Sequence, residues 1–356
     1  MSVAQRSENP SDLGPQRGGP PLPDGRIRTL LGVAYWADSV NLMECGIKTE
    51  SVDLIVTSPP FGLVRKKEYG NADADEYLEW FRPFAEQFAR VLKQQGSLVI
   101  DIGGSWNPGL PSKSLYQYEL LITLCKEFDF HLAQEFFWWN PSKLPTPAEW
   151  VTVRRIRVKD AVNNIFWLSR SPWPKASNRR VLTPYSKSMR GLLETGYRAK
   201  KRPSGHEISE AFSTDNGAAI PPNLIAAANT ESNSQYLRYC EENDFPIHPA
   251  RFPTVIPEYF VRFLTDPGDL VFDPFAGSCA TGEVAERLGR RWICGEIDER
   301  YLLGAQGRFL ERSIVKSTRT ARDVEQFYSI QRPGILWDEN PKHPLPEDGG
   351  RSRPRK

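Results

Sequence analysis

The 356-residue chain lacks any apolar stretch approaching the roughly 18 residues that a membrane-spanning helix needs. Its N-terminus is polar and has no signal-peptide apolar region, so we expect no membrane association and a cytoplasmic location. Cysteine is scarce: the five cysteines are odd in number and lack CxxC spacing, which supports neither a disulfide framework nor a metal site. A hydrophobic content of 39% and a charged content of 25% are typical of a globular protein.

Acidic residues are nearly missing from one window of the chain. Residues 151–202 hold fourteen Lys and Arg against Asp160 and Glu194, a net charge of +12 within a chain whose total is only +2. A surface that is merely solvated rarely separates charge so strongly, and a basic window is typical of proteins that bind a polyanion. This pattern favours nucleic acid as a partner.

An unusual turn follows the apolar run 52–56, which predicts a short buried strand. Pro59 and Pro60 fix two consecutive φ angles and remove two backbone donors, so the carbonyls of Ser58 and Pro59 stay available as acceptors. Phe61 places an aromatic ring beside them. The group suits a flat ligand with an amino group, such as a nucleobase. The alternative is a proline turn that only ends a strand.

Apolar spacing predicts an α/β architecture around this turn. Residues 75–95 have helical periodicity ended by Gly96, and residues 97–102 predict a second buried strand. A helix between two apolar strands indicates a βαβ unit and a parallel sheet. The aromatic and β-branched segments 133–139 and 162–168 predict antiparallel strands at an edge of this sheet.

A second small-residue loop lies near the C-terminus, where the predicted strand 269–272 leads into residues 273–279 and a helix opening at Thr281. Open α/β sheets bind ligands at such strand ends. The loop is not GxGxxG, which argues against a pyrophosphate site. Asp273 suits an ammonium group, and Glu296, at the end of the next strand, suits ribose hydroxyls. The alternative for Glu296 is an ion pair with Arg290, Arg291 or Arg300.

Three stretches together resemble one family. Residues 51–61, 273–282 and 248–253 are similar to the catalytic, cofactor and cofactor-closing segments of AdoMet-dependent DNA amino-methyltransferases of the circularly permuted β class, specifically the PvuII-type cytosine-N4 modification enzymes. The resemblance covers roughly residues 28–312 and includes the diagnostic order of catalytic motif before cofactor motif. It implies a Rossmann-like fold with a mixed, mostly parallel seven-stranded sheet and an inserted target-recognition region.

The resemblance also implies roles for residues. Ser58 and the Pro59 carbonyl would bind the exocyclic amine of a flipped cytosine, within the turn that Pro60 rigidifies, and Phe61 would stack on the base. Asp273 would meet the methionine ammonium of S-adenosyl-L-methionine (AdoMet). The remaining predicted cofactor-binding residues are Asp38, which is alternatively only a helix cap, His248, Phe275, Ala276, Gly277, Ser278, Thr281 and Glu296.

The resemblance leaves two alternatives open. Adenine-N6 methylation is one, although Ser58 occupies the position where most adenine-specific relatives carry Asp. A non-catalytic module that binds AdoMet or DNA is the other. Methylation at carbon five is excluded because that reaction needs a cysteine directly after a proline, and no cysteine here follows one. We expect Cys279 to serve packing.

The sequence predicts five regions: a flexible arm (1–26), a catalytic part (27–170), a target-recognition region (171–247), an AdoMet-binding part (248–312) and a C-terminal extension with a basic tail (313–356). Double-stranded DNA is the predicted partner, together with functional pairing to a restriction endonuclease in a restriction-modification system. The candidate DNA-binding residues are Arg179, Arg180, Lys200, Lys201 and Arg202.

Overall fold

The computed structural model describes residues 25–62, 76–196, 214–229 and 234–310. Among the described residues, those within 25–176 and 222–310 form one compact unit and those within 177–221 form another. The strands are β1 (Gly25–Arg28), β2 (Gly32–Trp36), β3 (Val52–Thr57), β4 (Leu92–Ile102), β5 (His131–Trp139), β6 (Val162–Ser169), β7 (Leu224–Ala226), β8 (Leu270–Asp273) and β9 (Arg291–Glu296). The helices are α1 (Ser39–Gly46), α2 (Tyr77–Val91), α3 (Tyr116–Glu127), α4 (Lys187–Thr195), α5 (Gln235–Glu242), α6 (Val255–Leu264), α7 (Ala280–Arg287) and α8 (Glu299–Ala305).

The strands form one mixed sheet in the order β1-β2-β9-β8-β3-β4-β6-β5-β7. Its centre, from β2 to β4, is parallel, whereas β1 pairs antiparallel with β2 and β6 lies antiparallel to both β4 and β5. The predicted Rossmann-like, mostly parallel sheet is therefore confirmed. The described residues contain nine strands rather than seven, because the short strands β1 and β7 add one strand at each edge.

Strand β3 is the central element of the first unit, between β8 and β4, and all six of its residues are buried. Because parallel strands end at the same edge of a sheet, Thr57, Asp273 and Glu296 come together there. Two stretches 216 residues apart in the chain are thus joined by a hydrogen bond at one sheet edge.

Helix α2 buries one face made of aromatic residues, including Tyr77, Phe81 and Phe88. Its predicted end at Gln95 is wrong, since the helix ends at Val91 and the backbone of Leu92 is already extended. The reason is tertiary pairing: Leu92 aligns with Val52 of β3, so the segment before Gly96 joins the sheet instead of completing another helical turn.

The second unit contains a 3-10 helix (Asn178–Val181) and α4, whose N-cap Ser186 accepts a hydrogen bond from the amide of Met189 at 3.1 Å. An antiparallel bridge joins Thr183 to Ala219. The predicted target-recognition region 171–247 is therefore divided. Its later part supplies β7 and α5 to the first unit, where β7 pairs with β5.

Several predictions fall on residues outside the described ranges: residues 1–24 of the predicted arm, the tail at residues 313–356, and the cations Lys200, Lys201 and Arg202. The predicted end of the arm at residue 26 is wrong, because residues 25 and 26 belong to β1, which pairs with β2. Of the helices in the described ranges, none combines the length and the apolar character that crossing a bilayer requires.

Candidate active site

A cavity of about 230 Å³ opens at the carboxyl edge of the central strands, and residues of the first unit line it. Every predicted catalytic and cofactor-binding residue lies on its wall. These are Asp38, Ser58, Pro59, Pro60, Phe61, His248, Asp273, Phe275, Ala276, Gly277, Ser278, Thr281 and Glu296. The structure brings the two predicted motifs into one site, while the individual role of each residue stays a prediction.

The catalytic turn begins where β3 ends. Thr57 is buried and its hydroxyl donates to Asp273 Oδ1 at 2.6 Å, which ties the turn to the second loop. The next residue, Ser58, is half-buried, and its hydroxyl donates to Asp101 Oδ2 at 3.0 Å. With its proton directed to Asp101, the Ser58 oxygen presents its lone pairs as acceptors.

Asp101 is a site residue that the sequence did not identify. It lies near the end of β4, is 1% exposed, and accepts a second hydrogen bond from Asn163 Nδ2 at 3.2 Å. Burial raises the pKa of Asp101 to about 7, although the hydrogen bonds from Asn163 and Ser58 and the charge of Lys143 act in the opposite direction. A carboxylate beside the catalytic turn therefore titrates near neutral pH.

Phe61 lies against Gly103, which follows β4. A Cβ at position 103 would come within 2.6 Å of the Phe61 ring, so this position requires glycine for the ring to stay in place. The Tyr116 hydroxyl donates to the carbonyl of Gly103. This hydrogen bond from α3 holds the backbone beside the ring.

Asp273 is 2% exposed and accepts three hydrogen bonds. Oδ1 accepts from Thr57 and from the amide of Phe275 at 3.1 Å, and Oδ2 accepts from the Thr281 hydroxyl at 2.7 Å. Burial raises the pKa of Asp273, and these three donors act against that rise. Since a carboxylate has about four acceptor positions, these three donors leave one position of Asp273, a cavity-lining residue, without a donor among the described residues.

Glu296 is held by backbone amides rather than by an arginine. Its carboxylate accepts from Gly277 N at 2.7 Å and from Asp298 N at 2.9 Å. Burial raises the pKa of Glu296, and the two amides lower it in part. Among the described residues, none of the three arginines considered from the sequence contacts it, and Arg300 pairs with Asp298 at 2.6 Å. The arginine-pairing alternative is wrong.

Two further predicted residues occupy defined positions on the wall. Asp38 is the N-cap of α1, where its carboxylate accepts from the amide of Asn41 at 3.0 Å, and it also lines the cavity. His248 lies edge-on to Tyr301, with 4.5 Å between ring centroids, and close to Gly277. A Cβ on Gly277 would meet the His248 ring at 3.0 Å, so the cofactor loop and the His248 segment are closely apposed.

An aromatic wall completes the site. The Phe275 ring lies 4.9 Å from Phe84 and 5.8 Å from Trp80, centroid to centroid, and all three line the cavity. Cys279 is fully buried, has left-handed backbone (φ 56°) and precedes α7. Its burial agrees with the expected packing role.

The predicted DNA-binding residues are distributed differently. Arg179 and Arg180 lie in the 3-10 helix of the second unit, with Arg179 exposed and Arg180 half-buried. Lys200, Lys201 and Arg202 are outside the described residues. Contact of these five residues with DNA stays a prediction.

Comparisons with a family model, with known proteins and with solved structures all matched DNA methyltransferases. Residues 52–306 match a family model described as DNA methylase, covering the N6 and N4 enzymes. The chain is 49% identical over 286 residues to the type II methyltransferase M.PvuII of Proteus hauseri, covering 80% of this chain and 85% of that protein. It is 26% identical over 264 residues to the DNA adenine methyltransferase YhdJ of Escherichia coli K12, covering 72% of this chain and 75% of that protein. Among solved structures, PvuII DNA methyltransferase (cytosine-N4-specific) aligns with a TM-score of 0.65 and 40% identity over 86% of this chain and 94% of that one.

Proposed function

Because this chain belongs to the N6/N4 DNA methylase family, we propose that it is a site-specific DNA methyltransferase that transfers a methyl group from AdoMet to the N4 amine of cytosine. One observation carries this proposal: the Ser58-Pro59-Pro60-Phe61 turn lines the same cavity as Asp273 and Glu296. Hydrogen-bond acceptors suited to an amine and carboxylates suited to a cationic nucleoside therefore line the same cavity.

The residues present fit AdoMet. Asp273 has an acceptor position left for an ammonium group, and the Glu296 carboxylate stands fixed at the cavity wall, suited to ribose hydroxyls. The rings of Phe275 and Trp80 offer an apolar wall for a purine, with Asp38 on the same wall. The start of α7, at Thr281, supplies backbone donors suited to a carboxylate. When bound, AdoMet supplies an electrophilic methyl group.

The chain's own residues prepare the amine. The exocyclic nitrogen of cytosine is a poor nucleophile because its lone pair is conjugated with the ring. Ser58 Oγ and the Pro59 carbonyl accept its two hydrogens, which favours tetrahedral geometry and aims the lone pair into the cavity. Ionised Asp101 accepts a hydrogen bond from the Ser58 hydroxyl, which keeps its proton, and so increases the negative charge on Ser58 Oγ.

Phe61 positions the base by stacking on its face, with Gly103 close behind the ring. A cytosine inside a duplex cannot reach a cavity of this kind, so the substrate base is flipped out of the helix. The net charge of +12 in residues 151–202 supports binding to the DNA backbone during this step.

Ser58 and the identities to known enzymes favour cytosine over the adenine alternative. M.PvuII and the PvuII cytosine-N4 enzyme are 49% and 40% identical to this chain, compared with 26% for the adenine methyltransferase YhdJ. Adenine-N6 methylation is therefore not favoured. We further propose that the enzyme acts in the cytoplasm on double-stranded DNA, paired with a restriction endonuclease of the same specificity, as expected for a type II modification enzyme.

The base that is modified can be identified directly. The protein is incubated with unmethylated plasmid and AdoMet carrying a labelled methyl group, and the DNA is digested to nucleosides for mass spectrometry. We expect labelled N4-methylcytosine, and sequencing of the product maps the recognition site. Labelled methyladenine would replace the cytosine assignment, and unmodified DNA from several sources would favour a non-catalytic module.

A further inference from the structure

The loop of residues 140–161, which we name the hairpin loop, connects β5 to β6 and leaves the sheet at the catalytic edge. The register places it there, because Asn164 near the start of β6 pairs with Ile102 at the end of β4. The neighbouring Asn163 donates to Asp101, the residue that binds Ser58. The hairpin loop therefore leaves and rejoins the sheet at the catalytic edge, and its last residue lies two positions before Asn163.

The base of the hairpin loop is fixed to the segment that follows β4. Asp160 accepts hydrogen bonds from Lys113 and from the Trp106 indole, and Arg157 donates to the carbonyl of Pro111 at 2.8 Å. These contacts join the loop to the residues after Gly103. The loop thus has a defined position relative to the catalytic turn.

Between these anchors runs an exposed segment that combines apolar and basic residues. All eight residues from Thr152 to Lys159 are exposed. The exposed fraction is 69% for Val153, 48% for Ile156 and 86% for Val158. Three large aliphatic side chains are therefore exposed to solvent within six residues, as is common where a protein contacts a partner.

The same segment is strongly basic. It contains four cations and no acid, the cations being Arg154, Arg155, Arg157 and Lys159. Arg154 pairs with Glu149 at 2.7 Å, whereas Arg155 has no hydrogen-bond or ion-pair partner among the described residues. Arg155 also has left-handed backbone (φ 55°), which is uncommon for a residue with a Cβ and is concentrated at functional sites.

Charge decides which partner this surface fits. In a symmetric dimer a self-complementary patch would bring the same four cations against one another, which is unfavourable. A DNA duplex instead offers phosphates for the cations and base stacks into which aliphatic side chains insert. The position at the catalytic edge is where a duplex delivering a flipped base has to lie.

We propose that the hairpin loop is the element that holds the target cytosine outside the duplex. Ile156 and Val158 insert into the base stack where the cytosine has left, and Arg155 binds a neighbouring phosphate. This inference rests on the proposed function, since it assigns to one loop the extrusion that the methyl transfer requires.

The test uses the double substitution Ile156→Ser with Val158→Ser and two short duplexes containing the mapped recognition site. One duplex is fully paired, and the other lacks the base opposite the target cytosine. On the paired duplex we expect the single-turnover methylation rate to fall about tenfold or more, because unstacking is no longer compensated. On the duplex with the missing base we expect a rate within about threefold of wild type, because the cytosine is already weakly held.

Arg155→Ala tests the phosphate contact separately. It should weaken duplex binding and reduce the slope of log affinity against log salt by about one. Matched controls lie on α3, where Ile122 is 58% exposed and Lys126 is an exposed cation. Ile122→Ser and Lys126→Ala should leave rate, affinity and salt slope unchanged.

Each other outcome has a defined meaning. Wild-type rates for the double variant on the paired duplex, or equal losses on both duplexes, would overturn the role of the loop while leaving the methyltransferase function intact. A wild-type dimer that the double variant cannot form, with unchanged rates, would assign the surface to a second copy and also overturn it. Absence of methyl transfer by the wild type on every DNA would remove the proposed function and the loop's role together.

Discussion

Replacing Asp101 with Asn isolates the effect of the buried carboxyl on stability. Asp101 has its pKa raised from 3.8 to about 7, chiefly by burial, so the folded protein holds this proton more tightly than the unfolded chain does. The stabilisation from the proton is fully present below about pH 4, near the unfolded pKa, and is lost as the pH rises through about 7. Because Asn cannot ionise, the stability of the Asp101→Asn variant lacks this dependence on pH.

The magnitude follows from the two pKa values. The full difference corresponds to about 4 kcal/mol at roughly 1.4 kcal/mol per pKa unit. Between pH 5 and pH 8.5 the titration of Asp101 should lower the unfolding free energy of the wild type by about 3 kcal/mol. The Asn variant should not show this decrease. Asp273 and Glu296, whose pKa values are also raised, are present in both proteins and cancel in the comparison.

Urea unfolding followed by tryptophan fluorescence at pH 5 and pH 8.5 measures this difference in both proteins. The methylation rate gives a second readout, because ionised Asp101 is the form that accepts the hydrogen bond from Ser58 and increases the negative charge on Ser58 Oγ. The wild-type rate should rise through about pH 7, and the Asn variant should be slow with no inflection there. Parallel stability curves for the two proteins would refute the raised pKa, and an unchanged inflection would refute the role of Asp101 in the reaction.

Three further substitutions test the site. Ser58→Ala should abolish nearly all methyl transfer with AdoMet affinity retained in calorimetry, and an unchanged rate would exclude Ser58 from the mechanism. Glu296→Ala should weaken AdoMet binding at least about tenfold, since it removes a buried charged acceptor, and unaltered affinity would contradict its role. Gly103→Ala should displace Phe61 and reduce the methylation rate while AdoMet affinity is kept. Gly191→Ala, with open space around its Cβ position, is the matched control, and equal effects of the two alanines would refute the steric argument.

The fold and most of the site were predictable because their signals are local. Strand β3 is short, apolar and ended by two prolines, and β8 leads directly into Asp273. Parallel strands end at one edge of a sheet, and this brings the two separately predicted loops together there. In the structure Ser58 and Glu296 line the same cavity.

The remainder depended on register and pairing, which no local pattern specifies. Asp101 joins the site because β4 lies beside β3 and because Asn163, 62 residues later in β6, donates a hydrogen bond to it. Helix α2 was predicted too long because pairing of Leu92 with Val52 overrides the helical periodicity. In both cases the deciding contact is to a distant part of the chain.

The strand order has a consequence for synthesis of the protein. Strands β2 and β3 are separated in the sheet by β9 and β8, although only fifteen residues lie between them in the chain. A nascent polypeptide that has not reached Leu270 carries both strands with their inner edges unpaired, and two strands' width must be filled before the sheet closes. We therefore expect the catalytic half to emerge from the ribosome before it can fold completely, because β8 and β9, which are synthesised last, have to pair between β2 and β3.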